Sequence, residues 1–380
     1  MMKVYKKALL PIGFKANGLN CGIRKSKKLD LALIYSQIPA KAACFFTTNK
    51  IKAAPVQLDI IHLKKGRSLI QAIIANSGNA NCFTGKAGFK DAESIAAVLA
   101  KHLKVKKEHL LVASTGVIGK RLPAGKIKVT IPNLARGLSS AGIDKAKSAI
   151  MTTDTFAKEI SVKFTLSGKV ITICGIAKGA GMIAPDMATM LCFIMTDANI
   201  SQVILKKALK EAVDNSFNCV TVDGCMSTND TVAILANAAV GNPLITGGQK
   251  LALFSRALNL VCLELAKMMV KDGEGASKFI KIMVEGAKNA SQAKKAALAI
   301  ANSNLFKTAM YGENPNFGRI VAAVGASGAE VKEESFKVKV SPLQKRDIDI
   351  CVDLNRGGAS ATVYTSDLTP QYIKINAEYN

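Results

Sequence analysis

Tryptophan is absent and aromatic residues make up only 5% of the 380 positions. Arginine is scarce as well, with 8 Arg against 44 Lys among the 52 basic residues. Nucleic-acid readers rely on guanidinium forks and aromatic platforms, and scattered lysines supply neither. The formal charge of +25 is therefore expected to be a Lys-rich solvated surface rather than a nucleic-acid footprint. Histidine is rarer still: His62, His102 and His109 are the only three. A Ser-His-Asp triad or a His-rich metal centre has to draw on these, so a nucleophile and base of another kind are expected, and no metal. The nine cysteines contain no CxxC pair, which argues against a zinc ribbon or a disulfide framework and fits a reducing cytoplasm. The charge-free stretch from Thr231 to Gln249 carries Asn237, Asn242 and Pro243, a poor membrane span. The short apolar run from Ala8 to Phe14, broken by Pro11, is a poor export signal. A soluble, cytoplasmic protein with no membrane partner is expected.

Apolar residues, at 49% with a mean hydropathy of +0.21, suffice for a large core, and the length suggests two or three domains. Charge is divided unevenly. Residues 1–188 carry 31 basic and 9 acidic side chains, net +22, and residues 189–380 carry 21 and 18, net +3. Leu69 to Ala75 reads as a buried strand entering the Asn/Ser/Gly loop NSGNAN, and LLVASTGVIG as another strand. Lys90 to Leu103 has helical spacing. ISVKFTLSGKVITICGIAK reads as a hairpin about Ser167-Gly168. An apolar strand is expected from Met190 to Met195, and a helix from Gln202 to Asp214 capped by Ser201. Further helices fit Gln249 to Val270 and Lys278 to Ala301, and from Phe336 onward the chain alternates as strands. The fold class implied is mixed α/β with substantial antiparallel sheet.

The segment KGAGMIAPDMATMLC, Lys178 to Cys192, is the most unusual. Gly179 and Gly181 permit close backbone approach, and Pro185 drives Ala184 toward extended backbone. Thr189 directly precedes an apolar run. It reads either as a β-branched residue opening a core strand or as a nucleophile. A threonine hydroxyl needs a base. Cleavage of the Ala188–Thr189 bond would supply one, since a free α-amine titrates at about 7.7–8.0.

KGAGMIAPDMATMLCFIMTDA, with STGVIG before it and VDGCMSTNDT after it, closely resembles the ornithine acetyltransferase family, the bifunctional enzymes of arginine biosynthesis. NSGNAN, MTTDT, GENPNFGR and YIKINAEY extend the resemblance from Pro11 to the C-terminus. It implies αββα-like layers of largely antiparallel sheet and helix, and self-cleavage into an α chain, residues 1–188, and a β chain, residues 189–380, that begins with the nucleophile. It also implies assembly from two chains of each kind. The implied reaction moves an acetyl group from N-acetylornithine to Thr189 and then to glutamate. Neither half-reaction calls for ATP, metal or a bound cofactor, and the covalent step implies ping-pong kinetics.

By the same resemblance, Thr115 and Gly116 form the oxyanion pair, and Thr152, Lys178, Glu274 and Asn376 join Thr189 in holding substrate. Thr153 competes with Thr152 for its assignment. Taken alone, each has a plainer reading: a strand-ending turn for STG, a surface lysine, a helix-terminal charge for Glu274. The family pattern places a Ser or Thr five residues after the asparagine matched by Asn376. Here Asn380 stands four after it, so that hydroxyl contact is either missing or replaced by Asn380 or its carboxylate. Asp223, Asn229, Asn314, Asn316 and Arg319 occupy polar loops that build sites or brace them, and none is given a catalytic role. Some family members also take acetyl-CoA as donor, and no phosphate-cradling loop decides this for the present sequence. The alternatives are a self-processed aminopeptidase or amidase, with water as acceptor, and a basic nucleic-acid-binding protein resting only on the charge of residues 1–188.

Overall fold

The computed structural model describes residues 2–184 and 190–378. Among these, one sheet contains β1 (Met2–Tyr5), β2 (Phe14–Leu19), β3 (Leu31–Phe46), β4 (Leu69–Asn79), β5 (Leu110–Val117), β6 (Lys158–Leu166), β7 (Lys169–Lys178), β8 (Leu191–Thr196) and β9 (Thr231–Ala236). Its order is β1-β6-β7-β8-β9-β3-β4-β5, with β2 also on β3. A second sheet, in the order β11-β12-β10-β13, contains β10 (Phe279–Ala287), β11 (Lys337–Val340), β12 (Asp347–Asp353) and β13 (Ala359–Ser366). The helices are α1 (Ala54–Lys65), α2 (Gly85–Leu103), α3 (Ala124–Arg136), α4 (Ile143–Ala149), α5 (Gln202–Asp214), α6 (Gly248–Lys271), α7 (Ala290–Asn302), α8 (Asn304–Tyr311), α9 (Phe317–Ala326) and α10 (Pro370–Glu378). The β4–β5, β8–β9 and β10–β12 pairings are parallel and the others antiparallel.

The larger sheet folds over on itself, and β3 is where it turns. Leu31 to Tyr35 and, past a register shift, Ala40 and Lys41 pair with β4, whereas Lys41 to Phe46 pair with β9. Residues of β4 and β5 (Ile73, Ala75, Leu111, Ala113) and of β7, β8 and β9 (Ile176, Phe193, Met195, Leu235) share one core, so the two halves face each other. Leu33 and Ile74 point the other way, onto Ile95 and Leu99 of α2 and Ile127 and Ile131 of α3. On the other layer α6 lies against Gly175 of β7, where a Cβ would meet Leu265 and Val261 side chains at 2.7 and 2.8 Å. The result is helix, sheet, sheet, helix. It explains why Leu31 to Ile34 form an unbroken apolar run: both faces of the strand are covered.

The SGK turn is as the sequence predicts: Ser167 and Gly168 both take positive φ, 51° and 77°, the pairing a two-residue hairpin needs. Helix α5 has its predicted bounds, with the Ser201 hydroxyl accepting from Ile204 N. Two expectations need correction. Lys278 to Ala301 is not one helix. Ile280, Ile282 and Val284 are buried while Lys281, Met283 and Glu285 are not, a period of two that makes β10 a strand. The helix starts only after Asn289, whose side chain accepts from Gln292 N at 2.9 Å. The chain end is α10 rather than strand: Pro370 sits in its first turn, and Thr369 Oγ1 accepts from Tyr372 N at 3.3 Å.

The described residues form two compact units: 2–179, 190–216 and 226–265 in one, and 180–184, 217–225 and 266–378 in the other. The second has its own core, with Ile280, Ile282 and Val284 against Ala297 and Ile300 of α7 and Val324 of α9. This spatial division is distinct from a cleavage boundary at 188/189.

Candidate active site

In the first unit, the NSGNAN and STG blocks end neighbouring parallel strands, with Asn76 opposite Ser114, Ser77 opposite Thr115 and Gly78 opposite Gly116. Gly116 has φ +136°, and a Cβ there would lie 2.3 Å from the Gly78 carbonyl carbon. Only glycine permits this approach. Asn76 Oδ1 accepts from Ser114 Oγ at 2.6 Å, and Asn229 Nδ2 donates to the Ala80 and Ser114 carbonyls at 2.6 and 2.8 Å. Thr115 is buried at the end of this braced strand.

At the start of the same strand, Asp59 and His62 of α1 satisfy the outer edge of β5. Asp59 Oδ1 accepts from Val112 N, and His62 Nδ1 donates to the Leu110 carbonyl, both at 2.8 Å. Burial pushes the Asp59 carboxyl up and the His62 imidazole down, so both favour neutrality. His62 is thus a strand fastener, a role that no local pattern around it reveals.

Thr152 is tied at both ends of its peptide unit. Its N–H donates to Asp154 Oδ2 at 2.8 Å and its carbonyl accepts from Arg24 Nη2 at 3.3 Å; the Met151 carbonyl accepts from Arg24 Nη1 at 3.0 Å. Arg24 passes over Gly78, where a Cβ would touch its Cγ at 2.8 Å, and so links MTTDT to NSGNAN. Asp154 is the organiser that sequence reasoning missed. Besides Thr152 it accepts from Gly179 N at 2.7 Å, and it pairs with Lys158 at 2.5 Å with both side chains fully buried. Burial opposes its charge, but Lys178 and Lys158 outweigh that and hold the Asp154 carboxyl well below the usual carboxylate range. An aspartate inside the MTTDT block with a lysine four positions on was the available signal.

Lys178, at the end of β7, is 2% exposed, and its Nζ donates to Thr115 Oγ1 at 3.3 Å. In a flat sheet these strands, five positions apart, would be separated by about 24 Å. The fold at β3 brings them together. Ala188 and Thr189 lie outside the described residues. Directly after them, Met190 N donates to Asp230 Oδ1 at 2.8 Å, and burial pushes the Asp230 carboxyl far up despite that bond and the charge of Lys178.

In the second unit, Asn376 Nδ2 donates to Glu274 Oε2 at 2.9 Å, bringing together two predicted binding residues 102 positions apart. Glu274 N donates to the Ala180 carbonyl at 2.9 Å, and a Cβ on Gly181 would collide with the Glu274 carboxylate. Asp223 accepts from Met182 N, Ile183 N and Tyr372 Oη at 2.7, 3.0 and 3.1 Å, which makes it a brace. Arg319 reaches the Leu305 carbonyl and Thr308 Oγ1, tying α9 to α8. Asn380 lies outside the described residues. Among the described residues there is no group of three or more His, Cys, Asp or Glu that could hold a metal, and no helix long and apolar enough to cross a membrane.

The ArgJ family profile matches residues 15–380. The chain belongs to the ArgJ family. It is 46% identical to the "Arginine biosynthesis bifunctional protein ArgJ" of Geobacter sulfurreducens, over 97% of this chain and 98% of that protein. With the protein of the same name from Caldanaerobacter subterraneus it shares 47% identity over 97% of each. Among solved structures it is similar to the ornithine acetyltransferase of Mycobacterium tuberculosis complexed with ornithine, at 34% identity and a TM-score of 0.45, over 50% of this chain and all of that one.

Proposed function

We propose that this ArgJ-family chain cuts its own Ala188–Thr189 bond and then transfers acetyl from N-acetylornithine to glutamate. The observation that carries the reading is the hydrogen bond from Lys178 to Thr115. It joins two residues that the family resemblance assigns from separate blocks 63 positions apart, at the buried end of β7.

The chemistry follows from the groups available. The freed α-amine of Thr189 accepts the proton of its own hydroxyl as Oγ attacks the acetamide carbonyl. The Thr115 hydroxyl and the Gly116 N–H are assigned to the oxyanion. Collapse breaks the C–N bond, returns the proton to the departing ornithine amine and leaves acetyl-Thr189. The amine of glutamate then attacks the ester, giving N-acetylglutamate and free Thr189. Thr152, Lys178, Glu274 and Asn376 are assigned to substrate binding by the family resemblance, and the Glu274 carboxylate suits an amine. After cleavage, residues 1–188 and 189–380 would stay joined, because β8 pairs with β7 and β9 with β3. An assembly of two chains of each kind, working in the cytoplasm, belongs to the same proposal.

A second donor is favoured by the word "bifunctional" in the relatives' names: acetyl-CoA acylating the same Thr189. The test is intact-mass measurement of the purified protein, followed by product analysis with each donor. Two fragments, the second beginning Thr-Met-Leu, and N-acetylglutamate formed from N-acetylornithine are expected. An uncut but active chain would overturn the mechanism, and release of free acetate instead would point to an amidase. Acetylglutamate from acetyl-CoA would establish the second donor.

A further inference from the structure

An ammonium group has only protons to give, so in the Lys178–Thr115 contact the threonine oxygen is the acceptor. The Thr115 hydroxyl proton must then point away from Lys178, which leaves it to be donated elsewhere. A hydroxyl that accepts from a cation is polarised and becomes a stronger donor. Burial increases the effect, since both side chains are nearly inaccessible to water. The lysine is also held in place: Asp154 binds the N–H of the next residue, Gly179, and is itself locked by Lys158.

We propose that Lys178 is a positioning residue for the oxyanion device, orienting and polarising the Thr115 hydroxyl, beyond any contact it makes with substrate. The inference rests on the acetyltransferase reading. It separates Lys178 from a lysine that merely holds a substrate carboxylate. Such a lysine would change KM and act independently of Thr115. A lysine working through Thr115 changes kcat, and its effect vanishes once that hydroxyl is gone.

A double-mutant cycle on cleaved protein, counted by intact mass, distinguishes the two. Single-turnover acylation is measured over a range of N-acetylornithine concentrations up to saturation for Lys178→Met, Thr115→Ala and the pair. Each single change is expected to slow acylation about 100-fold, and the double variant to stay within about 3-fold of the slower single. Thr115→Ser, which keeps a hydroxyl, should restore the dependence on Lys178. Losses that multiply to about 10,000-fold, or a change confined to KM, would overturn the proposal. If Lys178→Met leaves the chain uncut, Lys178→Arg, which keeps the charge but moves its donors, takes its place under the same criterion. Wild-type protein without acetyl transfer would sink the acetyltransferase reading and this inference with it; additivity sinks the inference alone.

Discussion

Asn229 Nδ2 donates to the carbonyl of Ser114 at 2.8 Å, across 115 positions of sequence. The same nitrogen holds Ala80 of the neighbouring loop, and the next residue, Asp230, accepts from Met190 N. One Thr-Asn-Asp turn therefore secures both the end of the strand bearing Thr115 and the start of the strand that follows Thr189. Its role is to fix geometry, with no need to touch a reacting atom.

Replacing Asn229 should accordingly cost stability and rate together. Asn229→Ala strands two buried carbonyls without donors, a loss of about 2–4 kcal/mol. Asn229→Asp should be at least as damaging, because a carboxylate cannot donate to either. Urea unfolding followed by fluorescence or circular dichroism reads this directly; a midpoint unchanged in both variants would refute the bracing role.

Gly116→Ala tests the close approach of β4 and β5. The added methyl would sit 2.3 Å from the Gly78 carbonyl carbon at a φ of +136°, a contact that forces the strand ends apart. A loss of about 2–4 kcal/mol is expected, with acetyl transfer falling further than Thr115→Ala alone causes. A variant with wild-type melting temperature and rate would show that the ladder has slack here.

Glu274→Gln should weaken ornithine binding by roughly 10–100-fold, the worth of one charge-assisted hydrogen bond. Asn376→Ala should have a smaller effect that largely disappears in the Glu274→Gln background, because its amide orients that carboxylate. Isothermal titration with ornithine measures both. Undiminished affinity in Glu274→Gln would remove Glu274 from amine recognition.

Lys307 supplies a pH prediction. Its buried ammonium donates to Thr365 Oγ1 at 3.1 Å and to the Ser366 carbonyl, and burial pulls its pKa down to about 8. An unfolded lysine titrates near 10.4. Between those values the unfolded chain holds the extra proton, so this group's contribution to stability rises with pH. Below about pH 8 its penalty is present in full. Lys307→Met removes the titration. The unfolding free energy of wild type relative to Lys307→Met should therefore increase by roughly 2–3 kcal/mol between pH 8 and 10.5. A difference that stays flat across that range would show the amine to be solvated.

Elements with a strong local pattern were legible from the residues. The Ser167-Gly168 hairpin has a turn chemistry that few other backbones accept, and Ser201 announces α5 by accepting from one of its first amides, Ile204 N. β10 was misread because only Lys288 and Asn289 separate FIKIMVEGA from a genuine helix, and a short, largely apolar run carries both periods until a sheet decides between them. Thr115, Lys178, Glu274 and Asn376 were reached through a family resemblance in their surrounding blocks. Arg24, Asp59 and His62 were not, because their work lies in contacts with distant backbone, and neither was Asp154, whose role depends on its burial and on Gly179 as much as on its neighbours Thr152 and Lys158.

Sequence by itself determined the chemistry on offer: few histidines, a lone threonine after a Gly-rich segment, and blocks specific enough to mark the family. Only the tertiary structure decided which of those groups meet. Local pattern specifies a strand through its own side-chain alternation, but the fold at β3, which brings Lys178 to Thr115, comes from burying two apolar sheet faces against each other. That burial is a sum over many distant residues, so no single segment encodes it.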